Sequence, residues 1–218
     1  NRGKKALAEA ERELISFGFK KEQLTQKLVV RQFGKIMDII QEAEKGLYDA
    51  VLLGRRGLSL FDELFDQSVT KEILDHAITV PIWICRKPNN HNDIAVCFDG
   101  SYPSIRCLEH IMFMFKHEER HNIVALIVSD QEAEVQELTS KIEDLLGATA
   151  FNKDRIHTKI LKGRPAPSIL KEIRDNPYGM VACGRSGKGR GLLGKIFMGS
   201  VSYELYKSLR DITLCISR

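Results

Sequence analysis

The hydrophobic positions along the chain change repeatedly between two spacings. Short apolar runs of strand length are separated by stretches in which apolar residues recur every three or four positions, as on an amphipathic helix. The predicted strands are Leu28–Val30, Ala50–Leu53, Val80–Cys85, Ile94–Phe98, Ile123–Val128, Ile156–Leu161, Met180–Cys183 and Ile212–Ile216. The predicted helices are Ala6–Phe17, Ile36–Leu47, Val69–Ala77, Ser104–Phe115, Val135–Leu146, one opening at Pro165 or Pro167, and Val201–Leu209. This alternation predicts an α/β fold with a doubly wound parallel sheet.

Composition narrows the class of protein. The chain has 218 residues, of which 43% are hydrophobic and 28% charged, as expected of a globular domain. Its net charge of +4 comes without the basic run that follows a nucleic-acid backbone, so no nucleic-acid partner is predicted. No apolar stretch reaches the length of a membrane span, and no signal peptide is visible. The five cysteines form no Cys-x-x-Cys pair, which favours a reducing cytoplasm.

A glycine-rich stretch over Val181–Ser202 carries the clearest chemical signal. It reads as a buried strand, a loop and the start of a helix. Glycine lets backbone N–H groups approach an anion closely, and a helix start offers unpaired N–H groups and the positive end of a dipole. The same stretch contains four basic residues, Arg185, Lys188, Arg190 and Lys195. The stretch therefore predicts a phosphate-binding loop.

An earlier stretch matches this one at an offset of 130 residues, since Gly54 aligns with Gly184. Further matches are Arg55 with Arg185, Gly57 with Gly187, Tyr48 with Tyr178, Ser68-Val69 with Ser200-Val201, and Ile82–Arg86 with Leu214–Arg218. The chain is therefore predicted to be a tandem repeat of one α/β unit. We predict a first domain at residues 1–90 and a second at residues 91–218, joined by the polar segment Lys87–Asn92.

Two motifs together resemble the universal stress protein family. The first is Gly184-x-x-Gly187 followed, after a spacer, by Gly199-Ser200 at a helix start. The second is the predicted strand that ends in Asp99-Gly100-Ser101 before another helix. Both copies carry parts of this pattern, so the resemblance covers nearly the whole chain. It implies a stress-response or regulatory protein.

The resemblance implies an adenine nucleotide, ATP or AMP, in the second domain, with Mg²⁺ only as a companion of the nucleotide. Asp99 would hold the adenine-ribose end, and Val128 would line the base pocket. The phosphates would lie over Gly184, Arg185, Gly187, Gly199, Ser200, Val201 and Ser202. The spacer after Gly187 is eleven residues where the family has nine, and the first loop has Gln67 in place of a glycine. These departures leave open a member whose pocket binds no nucleotide.

The first copy lacks a counterpart of the opening strand, helix and second strand of the second copy, about forty residues by the repeat offset. The family's sheet order leaves the predicted strand Leu28–Val30 without a neighbour. Either another segment supplies the missing strands or another chain does. The terminal strands Val80–Cys85 and Ile212–Ile216 are apolar edge candidates, and such edges invite pairing. The resemblance implies that these two strands pair antiparallel, which would make the copies a pseudo-dimer, and a homo-oligomer is possible.

Three other motif matches favour no function. Gly189-x-Gly191-x-x-Gly194 has no βαβ unit around it, and Ile196 replaces the Mg²⁺-binding hydroxyl of a Walker A loop. His117-Glu-Glu-Arg-His121 falls between a helix and a strand, on a predicted turn, and not on one helical face.

Three functions stay open. The first is a nucleotide-binding regulatory protein with at most slow ATP hydrolysis, because no general base is visible near the loop. The second is a member with a degenerate pocket that acts through protein–protein contact. The third is a cytoplasmic regulatory domain of a larger protein.

Overall fold

The computed structural model describes residues 2–30, 32–54, 80–186 and 199–217. The chain divides into two compact units, Asn1–Asp38 and Ile39–Arg218. The predicted helix Val69–Ala77 and the predicted site residue Gly187 lie outside the described residues, as do Gln67 and Ser68. The predicted boundary between residues 90 and 91 stays a prediction.

The first unit contains helix α1, Arg2–Ser16, and the beginning of helix α2, Lys35–Lys45. The predicted helix over Ala6–Phe17 is confirmed, although it ends at Ser16, and Gly18, whose φ of 99° favours glycine, lies in the turn that follows. The predicted strand Leu28–Val30 is wrong: the segment forms no strand, and its side chains are 63%, 60% and 82% exposed. A strand needs a paired neighbour, and none of the described residues pairs with this segment.

The second unit is built on one seven-stranded sheet. Its strands are β1 Val51–Leu53, β2 Ile82–Ile84, β3 Asp93–Cys97, β4 Ile123–Val128, β5 Ile156–Leu161, β6 Tyr178–Gly184 and β7 Thr213–Ser217. Their order across the sheet is β1-β2-β7-β6-β3-β4-β5. All neighbours are parallel except β2 and β7. The predicted doubly wound α/β fold is confirmed.

Four further helices complete the described part of the chain. They are α3 Tyr102–Met114, α4 Glu132–Gly147, α5 Pro165–Asp175 and α6 Ser200–Ser208. Of the two prolines predicted in the first turn, Pro165 opens α5, because proline has no N–H to lose there. None of the described helices is long and apolar enough to cross a lipid bilayer.

The predicted antiparallel pairing of the two terminal strands is confirmed. Ile82 lies opposite Ile216, and Trp83 lies opposite Cys215. The indole Nε1 of Trp83 also donates a 3.0 Å hydrogen bond to Nε2 of His110 on α3. Because this pair joins β2 to a helix of the second repeat, the two predicted copies share one sheet and one core. That they form a tandem repeat stays a prediction.

The core under α3 and α4 is apolar and includes two cysteines, Cys107 and Cys215. Burial raises the pKa of Cys97 and Cys183, and the pKa of Cys107 is raised by its hydrogen bond with Cys215 and by burial. These thiols therefore stay protonated at neutral pH and act as small apolar side chains.

Helix α2 ends at Lys45, directly before Gly46. The left-handed residue is Leu47, with a φ of 51°. A side chain at Gly46 would collide with the ring of Tyr48. The backbone N–H of Tyr48 donates to the carbonyl of Ala43 at 3.1 Å, which fixes this turn. Gly46 is therefore required by packing, and the strain of a positive φ falls on its neighbour.

The segment His117–His121 forms a turn after α3, as predicted. The guanidinium of Arg155 holds this turn by donating to the carbonyls of Phe115, Glu118 and His121 at 3.1, 2.6 and 2.7 Å. No group of three metal-ligating side chains occurs among the described residues. The buried guanidinium of Arg155 therefore fixes the turn that follows α3.

Candidate functional site

The chain reverses its direction across the sheet between β3 and β6. From β3 it moves outward to β4 and β5, and it then crosses back to place β6 on the other side of β3. In open α/β sheets, ligands bind outside the carboxyl ends of the strands at such a switch point. Here those ends are followed by Asp99 after β3 and by Arg185 after β6.

Asp99 lies at the centre of this edge. Cys97 is in register with Leu126 of β4 and Cys183 of β6, so two residues further on Asp99 is level with Val128 and Arg185. Three of the predicted site residues are thus brought to one level of the sheet. Val128 is half-buried, as is Asp99.

The turn after Asp99 is fixed by its own carboxylate. Asp99 Oδ1 accepts a 3.0 Å hydrogen bond from the N–H of Ser101. Gly100 has a φ of 70°, and a Cβ there would lie 2.5 Å from Leu138 Cδ2, so glycine is required. Ser101 then caps α3 by accepting a hydrogen bond from the N–H of Ser104. One oxygen of Asp99 therefore orients the turn.

Gly184 is a packing residue whether or not a ligand binds. A Cβ at this position would lie 2.8–2.9 Å from Pro103 and from the backbone nitrogen of Ser104. The end of β6 thus touches the first turn of α3, which leads directly from Asp99. Any larger residue at Gly184 would displace the two halves of the candidate site from each other.

Arg185 joins the end of β6 to the start of α6 through its backbone. Its N–H donates to the carbonyl of Ser217 at 2.6 Å, and its own carbonyl accepts from the N–H of Gly199 at 2.7 Å. The same carbonyl accepts a 2.8 Å hydrogen bond from the hydroxyl of Ser202. The Arg185 side chain is itself buried. These bonds fix where the glycine-rich loop leaves the sheet and where it returns.

Ser202 is the predicted site residue whose placement differs most from the role that the resemblance implies. Its side chain is buried, and its hydroxyl lies 2.8 Å from the Arg185 carbonyl and 3.0 Å from the Gly199 carbonyl. A hydroxyl has one proton, so both carbonyls compete for it. The hydroxyl is thus engaged by the backbone, and this placement gives Ser202 a structural function.

The start of α6 has the properties of an anion site. Gly199 is its N-cap, and no side chain of the described residues caps the helix. The first intrahelical bond runs from the N–H of Tyr203 to the carbonyl of Gly199, so the N–H groups of the first turn have no acceptor within the helix. Together with the helix dipole, these N–H groups favour a negative charge beside Ser200 and Val201.

One residue at this edge was missed by the sequence analysis. Ser129, directly after β4, is buried, and its hydroxyl donates to a carboxylate oxygen of Glu134 at 2.7 Å. The same hydroxyl oxygen accepts from the N–H of Gln131 at 3.1 Å, which turns the chain into α4. The signal was present, because a serine between a strand and a helix is typical of such turns.

Comparisons with known proteins agree with this fold. A model of the universal stress protein family matches residues 91–209, more than half of the chain. A universal stress protein from Archaeoglobus fulgidus is 21% identical, with a TM-score of 0.65 over 100% of this chain and 76% of its own. A functionally unknown protein from Pseudomonas aeruginosa is 13% identical, with a TM-score of 0.57 over 98% of this chain and 77% of its own.

A universal stress protein solved in complex with cAMP has a TM-score of 0.48 and 14% identity, over 60% of this chain and 98% of its own. No protein with a curated description matches the sequence significantly. The family model and the doubly wound sheet therefore lead to the same conclusion. The chain belongs to the universal stress protein family.

Proposed function

We propose that the protein is a regulatory protein that binds an adenine nucleotide, ATP or AMP, at the carboxyl edge of β3 and β6. The observation that carries this proposal is the placement of Asp99 beside the strand that leads to α6. A carboxylate and a helix start whose first N–H groups have no acceptor within the helix lie at one switch point.

The two ends of this edge suit the two ends of a nucleotide. The Asp99 carboxylate is an acceptor of the kind that ribose hydroxyls bind, and Val128 offers apolar surface for the base. The phosphates would lie over Gly199, Ser200 and Val201, where N–H groups and the dipole favour them. Mg²⁺ would enter only with the nucleotide.

Binding can be tested by thermal unfolding with ATP, ADP and AMP in turn. A ligand that binds only the native state raises stability by about 2.7 kcal/mol at a hundredfold excess over Kd. We expect the melting temperature to rise with ATP or AMP but not with inorganic phosphate at the same ionic strength. An equal rise with phosphate would indicate an anion site without nucleotide recognition.

A second candidate is an interaction protein whose pocket binds no nucleotide. The structural functions of Gly184 and Ser202 favour it, because both residues are required by packing or backbone bonding without any ligand. Unchanged melting with all three nucleotides would support this candidate.

For both candidate functions we propose a cytoplasmic location, since the structure pairs none of the five cysteines in a disulfide.

A further inference from the structure

Helix α6 is held at both of its ends by residues that lie outside it. At its start, the hydroxyl of Ser202 and the N–H of Gly199 both bond to the carbonyl of Arg185, which follows β6. At its end, Nη2 of Arg86 donates a 2.9 Å hydrogen bond to the carbonyl of Tyr206, 120 residues later in the chain. Because Arg86 directly follows the segment of β2, the two contacts tie α6 to two different strands.

The contact at Arg86 stabilises the end of the helix in two ways. Tyr206 belongs to the last turn of α6, whose carbonyl groups need donors from outside the helix. The guanidinium group of Arg86 also lies over the ring of Tyr206, 5.5 Å from its centroid. A positive charge is favourable at this position, because the helix dipole is negative at the carboxyl end. Arg86 is half-buried, so its charge is only partly screened by solvent.

Helix α6 is too short to be stable by itself. It has nine residues, whereas isolated helices shorter than about 12–15 residues are marginal in water. Helix formation is cooperative, so a helix of about two and a half turns is expected to open as one unit. The buried side chains of Leu205 and Tyr206 pack the helix against the core. Loss of the contact at one end should therefore also affect the other end.

Arg86 reaches α6 from the opposite edge of the sheet. Strand β2 is antiparallel to β7, so it ends at the edge where β7 and β6 begin. The residue before Arg86, Cys85, donates its N–H to the carbonyl of Leu53 at the end of β1. The end of α6 is thus tied to β1 and β2, while its start lies at the carboxyl edge of β3 and β6.

We propose that Arg86 is a positioning residue for the phosphate end of the nucleotide site and acts through α6. By holding the carboxyl end of the helix, Arg86 keeps its first turn folded, and that turn carries the N–H groups of Ser200 and Val201. Strands β1 and β2 thereby stabilise a site at the other edge of the sheet. The inference rests on the proposed function for its ligand, whereas the state of α6 can be measured without a ligand.

Hydrogen exchange in the ligand-free protein is the first test, with the variant Arg86→Ala. The reporting amides are Leu209, whose N–H closes the last turn of α6, and Tyr203, whose N–H closes the first. We expect both to exchange about threefold faster or more, because loss of the contact increases the population of the open helix. Exchange at Phe98, whose N–H bonds to a carbonyl of β4, should stay unchanged.

Two further variants make the result specific. Arg86→Lys keeps the charge and a donor, so exchange at Leu209 and Tyr203 should be closer to the wild type than in Arg86→Ala. Lys87→Ala removes the neighbouring exposed ion pair with Asp211 and should leave both rates unchanged.

Two patterns of exchange in Arg86→Ala would overturn the proposal. Faster exchange at Leu209 alone would show that the contact acts only on the last turn. An equal acceleration at Tyr203 and Phe98 would show a general loss of stability and no specific effect on α6.

Titration with ATP and AMP is the second test. Affinity should fall about threefold or more in Arg86→Ala and stay at the wild-type value in Lys87→Ala. Wild-type affinity in Arg86→Ala would overturn the proposal. Absence of binding by the wild type would instead contradict the proposed function, and exchange at Tyr203 would then decide whether Arg86 holds the start of α6.

Discussion

The hydroxyl of Ser202 lies 2.8 Å from the carbonyl oxygen of Arg185, seventeen residues earlier in the chain. The same carbonyl accepts the N–H of Gly199 at 2.7 Å. A strand end and a helix start are thereby held together at one backbone atom. The geometry of the candidate site therefore depends on this contact as well as on the residues that would contact a ligand.

Removing the hydroxyl should destabilise the protein. Ser202→Ala takes away a buried donor, so the free energy of unfolding should fall by about 0.5–1.5 kcal/mol, the range for one hydrogen bond. Urea unfolding measures this change. The matched control is Ser200→Ala, since Ser200 is exposed in the same helical turn. A loss of stability no larger in Ser202→Ala than in the control would contradict the structural function given to this hydroxyl.

The two aligned glycines should respond differently to alanine. Gly184→Ala would place a methyl group 2.8–2.9 Å from Pro103 and the Ser104 nitrogen, and such overpacking costs about 1–3 kcal/mol. A Cβ at Gly54 would meet nothing within 4 Å, so Gly54→Ala should be close to neutral. Chemical denaturation of both variants makes the comparison. Equal losses of stability would show that packing against α3 is not what requires glycine at 184.

Stability should depend on pH through His110. Burial lowers the pKa of His110 from 6.5 to about 4, and the Trp83 indole donates to its neutral ring. Since the unfolded state then binds a proton more readily than the native state, stability should fall as the pH decreases from about 6.5 to about 4. His121, whose pKa burial also lowers, contributes in the same direction.

The variant His110→Gln separates the two histidines. Urea unfolding at several pH values should show a shallower pH dependence in this variant than in the wild type, because the contribution of His110 is removed while that of His121 stays. Identical pH dependence in the two proteins would mean that His110 is protonated equally in both states.

The strands whose bounds were predicted correctly are those whose ends are marked by the residues next to them in the sequence. Ile123–Val128 and Ile156–Leu161 have the predicted bounds, because each is a run ended by polar or turn residues. Leu28–Val30 is also a short apolar run, but the strand predicted there is not formed. A strand also needs a neighbouring strand, which no local pattern reveals.

The site was predictable only in part for the same reason. The motif Asp99-Gly100-Ser101 is local, and its position at a strand end was read correctly. The packing of Gly184 on Pro103 and the bond from Ser202 to Arg185 join residues that are distant in the chain. The sequence shows which residue types stand at these positions but not which residues they contact. A glycine or serine that packing requires therefore cannot be distinguished in the sequence from one that contacts a ligand.

The contribution of the glycine loop to binding also has a direct test. Gly187→Val should abolish nucleotide binding, because a branched side chain blocks backbone approach to the phosphates. Gly57→Val, at the matched position of the first copy, should leave affinity unchanged. Titration of both variants with ATP and AMP makes the comparison, and full affinity in Gly187→Val would remove the loop from the proposed site.

The proposed nucleotide site can be measured by isothermal titration calorimetry of the wild type and of Asp99→Ala with ATP and AMP. Loss of a hydrogen bond to a charged group costs about 1.5–3 kcal/mol, so Asp99→Ala should bind roughly ten- to a hundredfold more weakly. Asp154→Ala, an exposed carboxylate beside the amino end of β5, should bind like the wild type. Binding that survives Asp99→Ala unchanged, or no heat from the wild type at millimolar nucleotide, would contradict a nucleotide site at the carboxyl edge of β3 and β6.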